Sequence, residues 1–291
     1  MATTEEAQSS ADQQSISDWL KENDGTIWAE TLKRVMKTAA KRKKEEEESA
    51  DFKVPNRLNP RLLDEIELQE SILREHQVPR RHIDTVLPWQ KLDLQEGDFR
   101  YNDYKHLKNV VLKDTPAILA TKAWFQAQQN SKFAWSFTLA GGQGCGKSVA
   151  AAYWLKKLLV KSLAREKYWI SPDPGAKIGS RRYAKLWWEA AEINRTWEMS
   201  AAAIREMKNE PFMVIDDLGV EHIGQSGGFR SRFDELMNHR WGNYLPTMIT
   251  TNLNAAAFKE RYQGRVADRM KEGFKAGGAF LELKDKSFRG K

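Results

Sequence analysis

The sequence predicts an α/β protein, a parallel sheet with helices on both faces, preceded by a mostly helical N-terminal segment. Three observations carry this. The run Gly141-Gly142-Gln143-Gly144-Cys145-Gly146-Lys147-Ser148 fits the pattern G-x-x-x-x-G-K-[ST] without a mismatch. It lies between an apolar strand pattern, Phe133 to Ala140, and an amphipathic helix pattern, Val149 to Val160. Two further apolar strands, Pro211 to Asp216 and Pro246 to Thr251, end in polar groups, and helical patterns separate them. Strands alternating with helices in this way indicate parallel pairing with helical crossovers.

The glycine run names a ligand. Glycines let the backbone curl so that successive N–H groups point inward at a polyphosphate. Lys147 is then expected to reach the β/γ-phosphates and the Ser148 hydroxyl to ligate Mg²⁺. At average glycine usage the pattern arises by chance in roughly one chain in a hundred of this length. Its place between a strand and a helix lowers that further, because this arrangement sets phosphates on a helix N-terminus.

The elements follow in order. Residues 1–60 form a separate region, helical or partly disordered, that is expected to bind a partner and to act as a linker. Ser15 to Leu20 can open a short helix, and Trp28, Leu32, Val35, Met36 and Ala39 repeat at helical spacing in one apolar stripe. So narrow a face must dock either on the rest of this chain or in a partner's groove. Lys41-Arg42-Lys43-Lys44 and Glu45-Glu46-Glu47-Glu48 either continue the helix, with opposite charges one turn apart, or form a solvated linker. Pro55, Asn56, Asn59 and Pro60 mark the boundary. Residues 61–291 form the second domain. It opens with an amphipathic helix, Arg61 to Glu75, which Pro79-Arg80-Arg81 ends. Gly97 to Lys113 reads as irregular and Thr115 to Gln128 as a helix with proline in its first turn. Beyond the glycine run come a strand (Lys167 to Ile170), helices (Arg182 to Asn194 and Ser200 to Lys208) and the Pro211 to Asp216 strand. Helix Phe229 to Arg240, strand Pro246 to Thr251, helix Ala255 to Tyr262 and a last strand, Ala279 to Leu283, complete the pattern.

The strand ends carry chemistry. Asp216 and Asp217 close a run of apolar residues, and the carboxyl end of a strand beside a phosphate loop is where a second Mg²⁺-holding group belongs. Asp216 is expected to hold Mg²⁺ and Asp217 to orient or deprotonate an attacking water. Asn252, after Thr250-Thr251, can hydrogen-bond both that water and a γ-phosphate.

Composition narrows the classes. At 41% hydrophobic residues the chain can build a large core, and a mean hydropathy of −0.67 without a long apolar run predicts no membrane span. The polar, acidic N-terminus lacks the features of a secretory signal. One cysteine excludes an internal disulfide or a cysteine-rich zinc module, and a reducing cytoplasm fits. The net charge of +7 favours polyanionic partners.

With these residues in place, the order of motifs resembles the AAA+ P-loop ATPases. VIDDLG at 214–219, LPTMITTN at 245–252, GRVADRM at 264–270 and SFRG at 287–290 look like the helicase-loader group, the DnaC/DnaI/IstB branch with its phage members. Glu70 to Thr85 also resembles the segment that opens the ATPase domain in that group. The resemblance spans roughly residues 70–291. It implies ATP and Mg²⁺ as cofactors, a replicative helicase and single-stranded DNA as partners, and self-association through an intersubunit ATP site. It further implies that Arg269, with Arg265 as the near alternative, reaches a neighbour's γ-phosphate. Arg289 would contact phosphate within its own subunit. Taken without the family, Arg265 and Arg269 are one helical turn apart on an exposed face, where surface salt bridges are the ordinary role. Many AAA+ proteins carry glutamate where Asp217 stands, so slow hydrolysis acting as a switch is expected. An IstB-like transposition ATPase engaging a transposase and duplex DNA is the alternative. For DNA, the basic loop 171–182 offers Lys177, Arg181 and Arg182 as phosphate contacts. Alkylating Cys145, inside the phosphate loop, is expected to block nucleotide binding.

Overall fold

A computed structural model describes residues 37, 60–92, 101–128, 136–165, 185–221, 228–262, 265–266 and 279–283. The Trp28 stripe, the charge block at 41–48 and the expected strand Lys167 to Ile170 lie outside the described residues. The described chain opens with helices. Helix α1 (Pro60–Glu75) buries Leu63, Ile66, Glu70 and Leu73 at spacings of three and four, so one stripe faces the core. The helix stops before a turn in which Gln77 takes φ 63°. Pro79 then does more than end α1. With its fixed φ it precedes a new helix, α2 (Arg80–Val86), and Arg80 pairs with both Glu70 and Asp84 to tie the two helices. Single turns follow at Trp89–Leu92, at α3 (Tyr101–Tyr104) and at Lys105–Leu107. Helix α4 (Pro116–Gln128) starts one residue after Thr115, whose hydroxyl accepts from the Ile118 N–H.

Strand β1 (Phe137–Gly141) leads through the glycine run into α5 (Lys147–Arg165). Then come β2 (Trp187–Glu189), α6 (Ala190–Met199), α7 (Ala201–Asn209) and β3 (Met213–Leu218). Helix α8 (Gly228–Gly242), β4 (Thr247–Thr251), helix α9 (255–262) and β5 (Ala279–Leu283) complete the described elements. The five strands pair in parallel in the order β2-β3-β4-β1-β5.

Alternate residues of these strands face two cores. Phe137, Leu139, Trp187, Val214 and Met248 pack with Ala150, Trp154 and the N-terminal helices on one side. Trp188, Met213, Ile215 and Ile249 pack with Phe229, Phe233, Phe258 and Tyr262 on the other. Burial on both faces explains why the central strands read as unbroken apolar runs. The α/β expectation with helices on both faces is therefore met.

A second element differs. Arg182 to Asn194 was expected to be a helix, but residues 187–189 form edge strand β2 and the helix begins at Ala190. Trp187 and Trp188 are both buried, one in each core. Only a period of two sends neighbours to opposite faces, and bulky aromatics suit that surface. Among the described residues no helix is long and apolar enough to cross a membrane.

Candidate functional site

Placing β4 between β1 and β3 brings three carboxyl ends side by side: the glycine loop, Asn252 and the aspartate pair. The loop has the backbone its glycines allow. Gly144 and Gly146 take φ of 82° and 87°, where a side chain is strained. Gly141 has no room for one either, since a Cβ there would lie 2.6 Å from the Leu283 carbonyl oxygen of β5. Thr115 at the start of α4 sits beside Gly146, so the N-terminal helices brace the loop from behind.

Lys147 is buried, and its ammonium has three donors. It donates to the carbonyls of Gly141 (2.9 Å) and Gly142 (2.7 Å) and to Asn252 Oδ1 (3.0 Å). The loop thus holds its cation with neutral acceptors, which an anionic phosphate would outcompete. Cys145 is fully buried, with Sγ donating to the Gly142 carbonyl at 3.1 Å. Its alkylation therefore first requires the loop to open.

Asp216 lies at the far side. It is buried and accepts a hydrogen bond from Thr250 Oγ1 (2.5 Å), with the Ser148 hydroxyl close enough to favour its charged form. Burial raises its pKa from 3.8 to about 6, against the Thr250 bond, with Asp217 and Glu189 adding like-charge repulsion and Ser148 opposing it. Ser148 and Asp216 offer two adjacent hard oxygens. Mg²⁺ suits so sparse a set, because it takes one or two protein ligands beside phosphate and water. No group of three or more acidic, histidine or cysteine ligands occurs among the described residues.

Asp217 stands on a bulge. Register advances three residues on β3, Ile215 to Leu218, against two on β4, Ile249 to Thr251. Asp217 takes φ 53°, uncommon for a residue with a side chain, and its N–H donates to Thr250 Oγ1 at 2.9 Å. Thr251 Oγ1 donates to the Leu218 carbonyl at 2.6 Å and fixes the next step. Backbone strain held in place by side chains is concentrated at working sites.

The structure thus brings Lys147, Ser148, Asp216, Asp217 and Asn252 to one end of the sheet. Arg265 is exposed, three residues after Tyr262 at the end of α9. Arg269, Arg289, Lys177, Arg181 and Arg182 lie outside the described residues. Sequence reasoning missed Thr250 and Glu221. Thr250 accepts from the Asp217 N–H and donates to Asp216, while Glu221 anchors the turn after β3. A threonine pair inside an apolar strand was the available signal for the first.

The chain is similar in fold to several solved structures. The DnaC helicase loader is 18% identical at a TM-score of 0.44, over 71% of this chain and 100% of that one. DnaI is 14% identical at 0.44, over 74% of this chain and 100% of that one. A putative primosome component from Streptococcus pyogenes serotype M3 is 19% identical at 0.40, over 60% and 84%. No protein-family model and no curated protein matches. Domain III of the Thermotoga maritima replication initiation protein DnaA is also similar, 12% identical at 0.39, over 57% of this chain and 61% of that one. At these identities and scores the likeness describes architecture, and the chemistry rests on the residues.

Proposed function

We propose that the chain is an ATPase of the AAA+ type that works as a replicative helicase loader, with ATP as its switch. The observation that carries the nucleotide reading is the bond from Lys147 to Asn252, which joins the glycine loop to the end of the next strand, with Ser148 near the buried Asp216. When bound, ATP with Mg²⁺ supplies the phosphoryl group to be transferred. Residues 141–148 would wrap the phosphates with backbone N–H groups, and Lys147 would turn from its carbonyls to their charge. Ser148 and Asp216 would hold the cation. Asn252 would orient an attacking water, and Asp217 would take its proton at the carboxylate. Arg269, or Arg265, would meet a neighbour's γ-phosphate, and Arg289 its own. Hydrolysis then releases an assembly rather than transforming a metabolite.

The partners rest on the motif order at 214–219, 245–252 and 264–270, and on the net charge of +7. Lys177, Arg181 and Arg182 are the proposed contacts to single-stranded DNA, and residues 1–60 the proposed helicase-binding segment. The test is the mass of the complex formed with ATP, a replicative helicase and single-stranded DNA. An ATP-dependent assembly containing all three supports the loader. Assembly with a transposase on duplex DNA instead would favour the transposition ATPase. Phosphorylation of a small-molecule acceptor would overturn both.

A further inference from the structure

Glu221 follows β3 by three residues, and its side chain is fully buried. A buried carboxylate is costly unless donors fill its lone pairs. Here three donors do. The Gly219 N–H reaches Oε2 at 2.7 Å, while Arg261 Nε and Tyr262 Oη reach Oε1 at 3.0 and 2.5 Å. A fourth bond, from Arg261 Nη2 to the Glu221 carbonyl at 2.6 Å, doubles the link to α9. Gly219 is two residues beyond the strained Asp217, so one carboxylate joins the bulge to the C-terminal end of α9.

The other end of α9 follows closely on a residue that bonds the phosphate loop. Asn254 Oδ1 accepts from the Ala257 N–H at 2.8 Å, and Glu282 of β5 accepts from the Ala255 N–H. Two residues before this cap, Asn252 accepts from Lys147. The three Lys147 donors are shared among four acceptors, Gly141, Gly142, Asn252 and, at 3.6 Å, Cys145 Sγ, so a bond to an anion must displace some of these contacts. Helix α9 therefore starts three residues after Asn252, which touches the loop. At its end it is held by a residue that touches the aspartate bulge, and Arg265 projects just beyond.

We propose that Glu221 is a positioning residue that couples nucleotide occupancy at the phosphate loop to α9 and to Arg265. The proposal rests on the nucleotide reading above. With Glu221 in place, the turn 217–221 and α9 move as one body; without it, α9 keeps its N-terminal anchor and loses the link to the bulge.

Amide hydrogen exchange on the full chain, with and without a non-hydrolysable ATP analogue and Mg²⁺, tests this. In the wild type, exchange should slow by about tenfold both at 141–148 and at 255–266 on binding. Glu221→Gln should keep the response at 141–148 and nucleotide affinity within about threefold, yet lose the response at 255–266. Tyr262→Phe, which removes one donor and leaves the carboxylate, should show an intermediate response and decides the matter if the first variant fails to fold. An unchanged response at 255–266 in the variants, or none there in the wild type, overturns the coupling. No response at 141–148 in the wild type overturns the nucleotide reading itself, which keeps the two failures distinct.

Discussion

Arg240 and Lys147 are both buried cations at ends of the same sheet, and they are held in opposite ways. Arg240, at the amino end, is fully buried and makes four bonds to fixed acceptors on separate elements. Nε meets Thr247 Oγ1 at 2.8 Å, Nη1 meets the carbonyls of Met207 (2.7 Å) and Glu210 (2.8 Å), and Nη2 meets that of Pro246 (3.1 Å). The guanidinium staples α7, α8 and the entries to β3 and β4. Burial lowers its pKa to about 9 while nearby Glu210 opposes the drop. Lys147, at the carboxyl end, bonds two carbonyls of its own loop and one exposed asparagine. A buried charge locked by acceptors on several elements holds a fold, and one bonded mostly within its own loop is ready to exchange its partners.

The sharpest way to break this contrast is to remove both cations in turn. Arg240→Ala strips the donors from the carbonyls of Met207, Glu210 and Pro246, and by the cost of orphaned buried polar networks it should lose about 3–5 kcal/mol of stability. Urea denaturation reads this directly. Lys147→Ala should unfold within about 1 kcal/mol of wild type, since its acceptors lie on a loop that water can reach. Instead it should weaken ATP binding by about 100-fold or more, the worth of two charge-assisted hydrogen bonds. Equal destabilisation by the two substitutions would end the comparison.

Asp217→Asn separates binding from chemistry at the same end. The amide keeps the size of the side chain and its N–H bond to Thr250, but it cannot accept a proton. Turnover should fall by about 100-fold with ATP affinity within about twofold. Unchanged turnover would remove Asp217 from the proposed role.

How much of this was legible from the sequence depends on distance along the chain. The glycine loop, β3 and β4 were readable because each is a continuous run whose residues act on their neighbours. Strand β2 was not, because two adjacent tryptophans fit a helix face nearly as well as a strand until a sheet edge sends them apart. Helix α2 was hidden behind Pro79, which can end one helix or begin another. Arg240 only closes the predicted helix Phe229 to Arg240, and Glu221 falls in none of the predicted elements. Thr250 and Glu221 owe their roles to partners more than thirty residues away, such as Asp216 and Arg261. No local pattern announces such pairs.

The smallest expected effect lies at Asp216, and it has two signs. Its folded pKa of about 6 lies above the ordinary 3.8, because burial penalises the charge. Between about pH 4 and pH 6 the folded state holds a proton that the unfolded chain releases, so stability from this group falls as pH rises through that window. Above about pH 6 the penalty is complete. Asp216→Asn removes the charge and keeps the acceptor for Thr250, so it should gain about 1–3 kcal/mol at pH 7 and nothing below about pH 4. Mg²⁺ needs the ionised carboxylate, so Mg²⁺-dependent ATP affinity of the wild type should drop by about tenfold from pH 7 to pH 5. In the variant that slope should vanish along with the Mg²⁺ dependence. Thermal unfolding and nucleotide titration across pH 4–8 measure both arms. A variant that is no more stable than wild type at pH 7 would mean that Asp216 is not held charged against its surroundings. The carboxyl end of the sheet would then be as settled as the end stapled by Arg240.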